Sequence, residues 1–518
     1  MDAPRGPRRR GQAGGSAALD RSLRGPRGRG GDALDPRRSR GRREPSRSGR
    51  HTARPMRHDA HGFWISQLDP PEPRPALSGE RRADAVVVGG GYTGMWAAWW
   101  LKQRAPDSEV VLVEADVCGL GPSGRNGGFC NSMWFSLPTL VGRVGDAAAL
   151  EVCRAAESSV WTIGEWCQEQ GVDARFRHGG YLQVSTCEAQ DGTWEPVHRE
   201  MARLGVAELG IELNLEQLAQ RCASPRFRAA ARYPAAATVD PARVAAGLRA
   251  RLIESGVELF ERTPMRRLRQ KGGDPVVELE GGSVRAGQVV LATGPALLAV
   301  RGLRHALTAT SSHMVVTEPV PDVLEEIGWT GGECITDSRA MIHYFRTTSD
   351  DRIAFGWGGG GVIYGSRANG KAEVDPAMVR QVEAHLRSFF PQLEDRAVVH
   401  AWGGPIDVSP THLPVIRSLG DRVHAGFGYT GNGVGPSQMI GRTLASLALD
   451  SSDEYAAPAL VDPPASLVPP EPFRYVGGSL IRKAMLRKER LEEQGRRPGP
   501  LTRAVCGIPE RVGIHVGR

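Results

Sequence analysis

Residues 86–98 read VVVGGGYTGMWAA, a β-branched run that ends in three glycines and leads into an apolar, helix-compatible segment. A buried strand, the pattern G-x-G-x-x-G and a helix, in that order, are typical of a dinucleotide-binding βαβ unit. The glycines permit a tight turn, close approach of the backbone to a pyrophosphate and close helix packing. The predicted cofactor contacts in this turn are Gly89, Gly91, Tyr92, Thr93 and Gly94.

A second strand completes the unit. Pro106 and Asp107 end the helix, and residues 110–113, VVLV, form the next β-branched run. Glu114 follows this run, where an acceptor for ribose hydroxyls is needed. The plain alternatives are a solvated carboxylate at Glu114 and a glycine-rich turn of some other α/β domain. Because strand, helix, second strand and acidic residue all occur in order, we predict a bound dinucleotide.

The next segment distinguishes a nicotinamide from a flavin cofactor. A nicotinamide dehydrogenase would continue with another βα repeat, whereas residues 119–129 read GLGPSGRNGGF, a polar glycine loop rich in backbone N–H groups. Such a loop suits a second contact along an extended cofactor, although it could also be a surface loop. The predicted contacts are Ser123, Gly124, Arg125, Asn126, Gly127 and Gly128.

The S-G-R-N-G-G loop resembles that of the FAD-dependent amine and amino-acid oxidoreductases, the superfamily of D-amino-acid, glycine and sarcosine oxidases. Within it, the loop is similar above all to the branch of γ-glutamylputrescine and aminophosphonate oxidoreductases. The resemblance implies a Rossmann-like FAD-binding domain assembled from three segments, with an inserted substrate domain. It also implies that Met265 lies beside the adenine and Gly294, in an A-T-G turn, near the pyrophosphate. Taken alone, Met265 is typical of a core residue.

A third glycine-rich stretch, residues 428–437 with the sequence GYTGNGVGPS, opens a helix predicted to run through Ala448. Free N–H groups and the positive end of a helix dipole suit the N1 and O2 edge of a reduced flavin. Relatives carry a similar stretch with His where this chain has Asn432. A capped helix without a ligand is the alternative. The predicted contacts are Gly428, Gly431, Asn432, Gly433 and Val434.

These segments predict an α/β fold with a Rossmann-like FAD-binding domain, an α+β substrate domain that contains an antiparallel sheet, and a disordered N-terminal tail. The predicted divisions are 1–55 (tail), 80–149, 235–310 and 396–450 (FAD-binding domain), 150–234 and 311–395 (substrate domain), and 451–518 (C-terminal extension with a basic helix at 478–493).

The basic charge of the chain is concentrated in the tail. Residues 1–55 hold 16 Arg, no Lys and 5 acidic residues, a net charge of +11 in a chain of +8. The remainder has 50 basic and 53 acidic residues and gives no reason to expect nucleic acid. Without hydrophobic periodicity the tail is predicted to be disordered. It could be a transit-type segment, a nucleic-acid or membrane arm, or upstream sequence before a true start at Met56, which we favour.

Other compositional features concern location. No run of about 18 apolar residues occurs, so a membrane-spanning helix is not expected. The 8 cysteines include no C-x-x-C pair, which argues against a zinc site or a disulfide framework and favours the cytoplasm. None lies in a setting that predicts a covalent flavin link, so noncovalent FAD is expected.

The predicted reaction is oxidation of a C–N bond. A flavin takes hydride onto N5 from the carbon that bears nitrogen, and the imine hydrolyses to a carbonyl. The protein positions that carbon, so no catalytic dyad is required and none is predicted. We predict an oxidase or dehydrogenase for a primary or secondary amine or an amino acid, with oxygen or another electron acceptor.

Substrate contacts are predicted from one strand. Residues 341–347, MIHYFRT, alternate, which places Tyr344 and Arg346 on one side. A guanidinium binds carboxylate or phosphonate through paired hydrogen bonds, and Arg346 matches the carboxylate-binding Arg of glycine-oxidase relatives. A structural ion pair is the alternative. Residues 403–405, GGP, stand where amino-acid oxidases often have a second Arg, which disfavours a simple α-amino acid. His313 is predicted to be a satisfied, partly buried histidine rather than a pocket residue.

Two other functions are consistent with parts of this pattern. A nicotinamide-linked dehydrogenase would need a further βα repeat after Glu114, which is not evident. A flavoprotein fold kept as a non-catalytic assembly factor would share every glycine turn, because fold does not determine function.

Overall fold

The computed structural model describes residues 57–58, 61–270, 273–366, 373–464 and 466–515. All of them belong to one compact unit, residues 53–518. The predicted tail at 1–55 lies outside the described residues.

The strands of the described residues form two large sheets and one small one. Their bounds are Arg57–His58 (β1), Gly79–Val88 (β2), Val110–Val113 (β3), Phe129–Asn131 (β4), Tyr181–Ser185 (β5), Ile211–Leu213 (β6), Ala229–Tyr233 (β7), Ala236–Thr238 (β8), Glu258–Phe260 (β9), Met265–Arg269 (β10), Val276–Leu279 (β11), Gly282–Leu291 (β12), Thr308–Thr317 (β13), Cys334–Asp337 (β14), His343–Thr347 (β15), Ile353–Trp357 (β16), Val398–Val408 (β17), Val415–Ser418 (β18) and Val423–Phe427 (β19).

The α-helices connect and cover these sheets. Their bounds are Gly62–Ile65 (α1), Tyr92–Arg104 (α2), Pro122–Arg125 (α3), Leu137–Val144 (α4), Asp146–Glu169 (α5), Glu195–Arg203 (α6), Leu215–Ala219 (α7), Pro241–Glu254 (α8), Pro321–Glu326 (α9), Pro376–Phe389 (α10), Val434–Ala448 (α11), Phe473–Glu493 (α12), Pro500–Cys506 (α13) and Ile508–Arg511 (α14).

The first sheet has the order β10-β11-β12-β2-β3-β9, with β19 beside the end of β12 and β18 beside β19. Four pairs of neighbouring strands are parallel: β12 with β2, β2 with β3, β3 with β9, and β12 with β19. Parallel strands are covered on both faces, which explains the continuous β-branched runs. Val86 and Val88 pack into one core, and Val87 packs into the other, beneath α2. The predicted βαβ unit is therefore present.

The second sheet has the order β1-β17-β13-β16-β15-β14-β5-β7-β6 and is mainly antiparallel. Its core is aromatic, with Phe345 and Phe355 stacked at 5.0 Å under α10. This two-sheet architecture confirms the predicted fold class.

Two elements lie elsewhere than the predicted divisions imply. Strand β17, assigned to the FAD-binding segment 396–450, pairs with β13 in the second sheet from Thr308 to Thr317. Helix α5, assigned to the substrate segment 150–234, packs into the core beneath the first sheet. In both cases long-range contacts determine which sheet the element joins, because the sequence pattern of a strand or an amphipathic helix does not specify its partner.

Helices α2 and α11 pack closely against each other through a glycine. A Cβ atom on Gly441 would lie 2.6 Å from the Cβ of Trp96 and 2.8 Å from the backbone N of Ala97. This contact joins the first and third glycine-rich regions, since α2 follows the first and α11 follows the third. A search of the described residues finds no helix with the length and apolar content needed to cross a membrane.

We expect Gly441→Ala to destabilise the protein by about 1–3 kcal/mol, because the methyl group would push α2 and α11 apart. The free energy of unfolding in denaturant measures the effect. Gly142→Ala is the matched control: Gly142 is an exposed helical glycine with open space around its Cβ position, and the same change should be neutral or stabilising by up to about 1 kcal/mol. Equal effects at the two positions would contradict the packing argument.

Candidate functional site

A cavity of about 1790 Å³ opens at the carboxyl ends of β2, β3 and β12. Its volume exceeds the range of about 300–1,000 Å³ that is usual for small-molecule pockets, so it can take an extended ligand. Stretches of 88–93, 113–123, 263–301 and 405–429 contribute residues to its lining. The carboxyl edge of parallel strands is the usual ligand site of α/β sheets.

The glycine turn between β2 and α2 is tightly packed. Gly89 has φ +109°, a left-handed conformation, and a Cβ atom there would lie 2.5 Å from the Ala292 carbonyl oxygen. A Cβ atom on Gly94 would overlap the carbonyl oxygen of Gly89. The first turn of α2 therefore packs directly against the backbone at the end of β2, with no room for a side chain at Gly89 or Gly94.

Glu114 supports this turn from the neighbouring strand. Its Oε2 accepts a hydrogen bond from the Gly90 N–H at 2.6 Å, and its Oε1 accepts one from the Asp116 N–H at 3.0 Å. Burial raises the pKa of Glu114, while these N–H groups oppose the rise. Glu114 lines the cavity and also fixes the glycine backbone.

The loop after Glu114 contains a one-turn helix, α3, where a polar loop was predicted. Pro122 occupies its first turn and Gly121 precedes it in an extended conformation, an arrangement that favours helix initiation. Ser123 Oγ accepts a hydrogen bond from the Tyr92 N–H at 2.8 Å, so α3 caps the first turn of α2. Ser123 lines the cavity.

The third region reaches the first through a side-chain hydrogen bond. The hydroxyl groups of Tyr429 and Thr93 lie 2.6 Å apart, and both residues line the cavity. Helix α11 begins after Gly433 without a side-chain cap. Asn432 donates from Nδ2 to the Ser132 carbonyl oxygen at 3.1 Å. Asn432 therefore fixes the loop to the strand β4 region.

The predicted cofactor residues separate into two groups. Those on the cavity wall are Gly89, Gly91, Tyr92, Thr93, Glu114, Ser123, Met265 and Gly294. Those outside the lining are Gly94, Gly124, Arg125, Asn126, Gly127, Gly128, Gly428, Gly431, Asn432, Gly433 and Val434. Their role as direct cofactor contacts stays a prediction.

Arg346 is buried and directs its guanidinium at backbone carbonyls. Nε donates to the Thr347 oxygen at 2.9 Å, and Nη1 donates to the Gly128 oxygen at 3.2 Å and to the Val239 oxygen. The guanidinium also lies 5.2 Å from the Trp64 ring, and burial lowers the pKa of Arg346 to about 10. These contacts attach the 128 turn to the second sheet. Substrate binding by Arg346 stays a prediction.

Tyr344 lies beside Arg346 on the same face of β15. Its hydroxyl group shares a hydrogen bond with Ser312 Oγ at 2.7 Å, and its ring packs edge-on against Phe129 at 6.0 Å. Neither Tyr344 nor Arg346 is among the residues lining the cavity. His313, on β13, which is separated from β15 by β16, is 1% exposed and also lies outside the lining.

Asp407 was not anticipated. It lines the cavity, its Oδ2 accepts a hydrogen bond from the Gly428 N–H at 2.6 Å, and burial raises its pKa to about 6. The residue is half-buried on the cavity wall. The residue stands in the run WGGPID, which contains no local signal for a carboxyl group in a cavity.

The residues present fit FAD. The cavity is walled by glycine backbone, and the buried Thr293 hydroxyl in the A-T-G turn has no hydrogen-bond partner among the described residues. Exposed arginines on the cavity wall add positive charge that suits a diphosphate. They are Arg82, Arg267, Arg285 and Arg301. None of the cysteines lies in the cavity lining of the described chain.

Known proteins are similar to this chain in sequence. The model of the FAD dependent oxidoreductase family (DAO) matches residues 84–447. Gamma-glutamylputrescine oxidoreductase of Escherichia coli K12 is 27% identical over 417 residues, which cover 78% of this chain and 92% of that protein. A probable oxidoreductase, OrdL, of Rhizobium meliloti is 26% identical over 442 residues, 82% of this chain and 94% of that protein.

Among solved structures, glycine oxidase from Geobacillus kaustophilus has a TM-score of 0.59 and 20% sequence identity, over 72% of this chain and 96% of that one. The chain belongs to the DAO family of FAD-dependent oxidoreductases. It is an enzyme with FAD as its cofactor, as predicted, and noncovalent binding is typical of the family. The nicotinamide-linked alternative is therefore wrong.

We expect Glu114→Ala to raise the dissociation constant for FAD about 10- to 100-fold, because the Gly90 N–H loses its acceptor and becomes an unpaired donor. Titration of deflavinated protein with FAD, followed by fluorescence quenching, measures this constant. Glu258→Ala on the neighbouring strand β9 removes a carboxylate whose side chain is 60% exposed and should leave it unchanged. An unchanged dissociation constant for FAD in Glu114→Ala would show that this residue does not contribute to the cofactor site.

Proposed function

We propose that this enzyme oxidises the C–N bond of a primary or secondary amine, giving an imine that hydrolyses to a carbonyl. FAD, when bound, supplies the hydride acceptor. The observation that carries the proposal is Asp407, a carboxyl group on the wall of the cofactor cavity. A carboxylate attracts an ammonium group, so this wall suits an amine.

The chain's residues would act by binding and orientation. The turn at Gly89, the start of α2 and the A-T-G turn around Gly294 would hold the diphosphate, Glu114 would hold the ribose, and Met265 would lie beside the adenine. Asp407 and Tyr429 would bound the reacting end of the cavity. Above a pH of about 6 Asp407 carries the charge that the substrate needs.

An amine without an α-carboxylate fits this site better than an α-amino acid. The arginines of the cavity wall lie on β2, β10, β12 and the segment near residue 301, and none lies on the 405–429 segment that carries Asp407. Arg346 is engaged with three carbonyl oxygens, and Gly403 and Gly404 replace a second arginine. The name of the Escherichia coli relative, gamma-glutamylputrescine oxidoreductase, points to the same class of amine.

We also propose the cytoplasm as the location. The eight cysteines are present as thiols rather than as disulfides, and seven of them are buried. Buried cysteines kept as thiols are typical of a reducing compartment. The electron acceptor that would regenerate the flavin is oxygen or another oxidant.

The test is anaerobic bleaching of the flavin absorbance in the purified protein. We expect γ-glutamylated diamines or simple secondary amines to bleach it, and glycine and other α-amino acids to bleach it at least about tenfold less efficiently. Asp407→Asn should retain FAD and lose the rise in amine efficiency between about pH 5 and pH 7. Flavin absorbance that persists with every amine would overturn the proposed reaction.

The role of Arg346 has a separate test. If its contacts with the Gly128 and Val239 carbonyls determine its role, Arg346→Ala lowers both the bound flavin and the melting temperature. If it binds substrate, the variant keeps its flavin and raises only the KM for the amine. Flavin content and KM are measured together, with Tyr344→Phe as the control that keeps the ring and loses one hydroxyl. We expect the first result.

A further inference from the structure

The C-terminal helix α12 presents an apolar surface to solvent. Phe473, Val476 and Leu480 are 70%, 61% and 54% exposed, respectively. They are spaced three and four residues apart, so they lie on one side of the helix. Contiguous exposed apolar side chains mark interaction surfaces, whereas single exposed apolar residues are ordinary.

The opposite side of α12 is attached to the protein. Arg474 and Glu489 are buried, at 8% and 6% exposure. Arg474 Nη1 donates to the Leu307 carbonyl oxygen at 3.1 Å, and Glu489 Oε1 accepts a hydrogen bond from the Met341 N–H at 3.0 Å. These anchors at both ends determine the rotation of the helix, so its apolar stripe faces outward.

The same stripe continues with cations. Lys483, Arg487 and Arg490 are exposed at the next positions of the spacing. In the described part of the chain none of the three has a hydrogen-bond or ion-pair partner. The acidic residues of the helix are turned elsewhere: Glu492 pairs with Lys488 at 2.9 Å and Glu493 with Arg226 at 2.7 Å. The outward face is therefore apolar in its first half and positive in its second.

Most of the exposed apolar side chains of the described chain lie in this C-terminal region. Of the twelve large hydrophobic residues that are exposed in the described chain, eight lie between 467 and 512. Besides the three on the stripe they are Leu467, Tyr475, Leu501, Ile508 and Val512. Arg496, Arg497 and Arg503 are exposed in the same region.

The positive charge of this face limits which partner can bind to it. A second copy of the chain would place like charges against each other, and so would residues 1–55, which contain 16 Arg. The face is a convex helix rather than a groove for a peptide. Exposed aromatic and aliphatic tips next to Lys and Arg are the composition with which surface helices bind acidic lipid.

We propose that the outward face of α12, residues 473–490, binds the surface of a membrane that contains anionic lipid. Phe473, Val476 and Leu480 enter the region between headgroups and acyl chains, and Lys483, Arg487 and Arg490 contact the lipid phosphates. This proposal does not depend on the substrate of the enzyme.

Flotation of the full-length, FAD-loaded protein with lipid vesicles tests it. The vesicles are phosphatidylcholine alone or an equal mixture with phosphatidylglycerol, at about 0.1 M and about 1 M salt. We expect binding to the mixed vesicles only, and a fraction of it that survives high salt. Phe473→Ser/Val476→Ser/Leu480→Ser should weaken binding by about tenfold or more and remove the salt-resistant fraction.

Two further variants complete the experiment. Lys483→Gln/Arg487→Gln/Arg490→Gln should lose most of the preference for phosphatidylglycerol. Ile211→Ser/Leu215→Ser, at residues 39% and 54% exposed outside the surface, is the matched control and should bind like the wild type. Flavin content and melting temperature show that each variant is folded.

Three results would overturn the proposal. One is the absence of wild-type binding to the mixed vesicles. Another is binding that 1 M salt abolishes completely and that the serine triple variant leaves unchanged, which would assign it to the arginines of residues 1–55. The third is a wild-type dimer that the serine triple variant converts to a monomer, which would identify a second copy as the occupant.

Discussion

Close contact between backbones, at positions that tolerate no side chain, holds the cofactor half of this protein together. Gly94 brings the first turn of α2 onto the carbonyl of Gly89, and Gly441 brings α11 onto α2. Both contacts depend on the missing Cβ atom, since interiors are packed too densely to admit another methyl group. The position of the cavity follows from them, because α2 and the loop before α11 form two of its walls.

The polar groups of the cavity wall support its backbone before any ligand is bound. Glu114 accepts from Gly90, Ser123 from Tyr92, and Asp407 from Gly428. Each pair uses a side chain from one segment to fix an N–H group of another. Such preorganisation reduces the number of groups that a cofactor must order when it binds.

Features encoded by neighbouring residues were predictable. The strand at Val110–Val113 and the helix starting after Asp240, whose carboxylate accepts from the N–H groups of Ala242 and Arg243, depend on local patterns. The partners of Arg346 are different, because the Gly128 and Val239 carbonyls lie 218 and 107 residues away. The alternation of β15 predicted which side chains share a face of the strand, but it does not specify which residues that face contacts. Asp407 was missed for the same reason, since its burial is a property of the assembled cavity.

The hydrogen bond between Thr93 and Tyr429 joins residues 336 positions apart. At a synthesis rate of about 10 residues per second, roughly half a minute passes on the ribosome between the appearance of the two partners. During that interval the nascent chain carries the Gly89 turn without the segment that pairs with Thr93. The wall of the cavity is therefore completed only after residue 429 has been synthesised, late in the production of a chain of 518 residues.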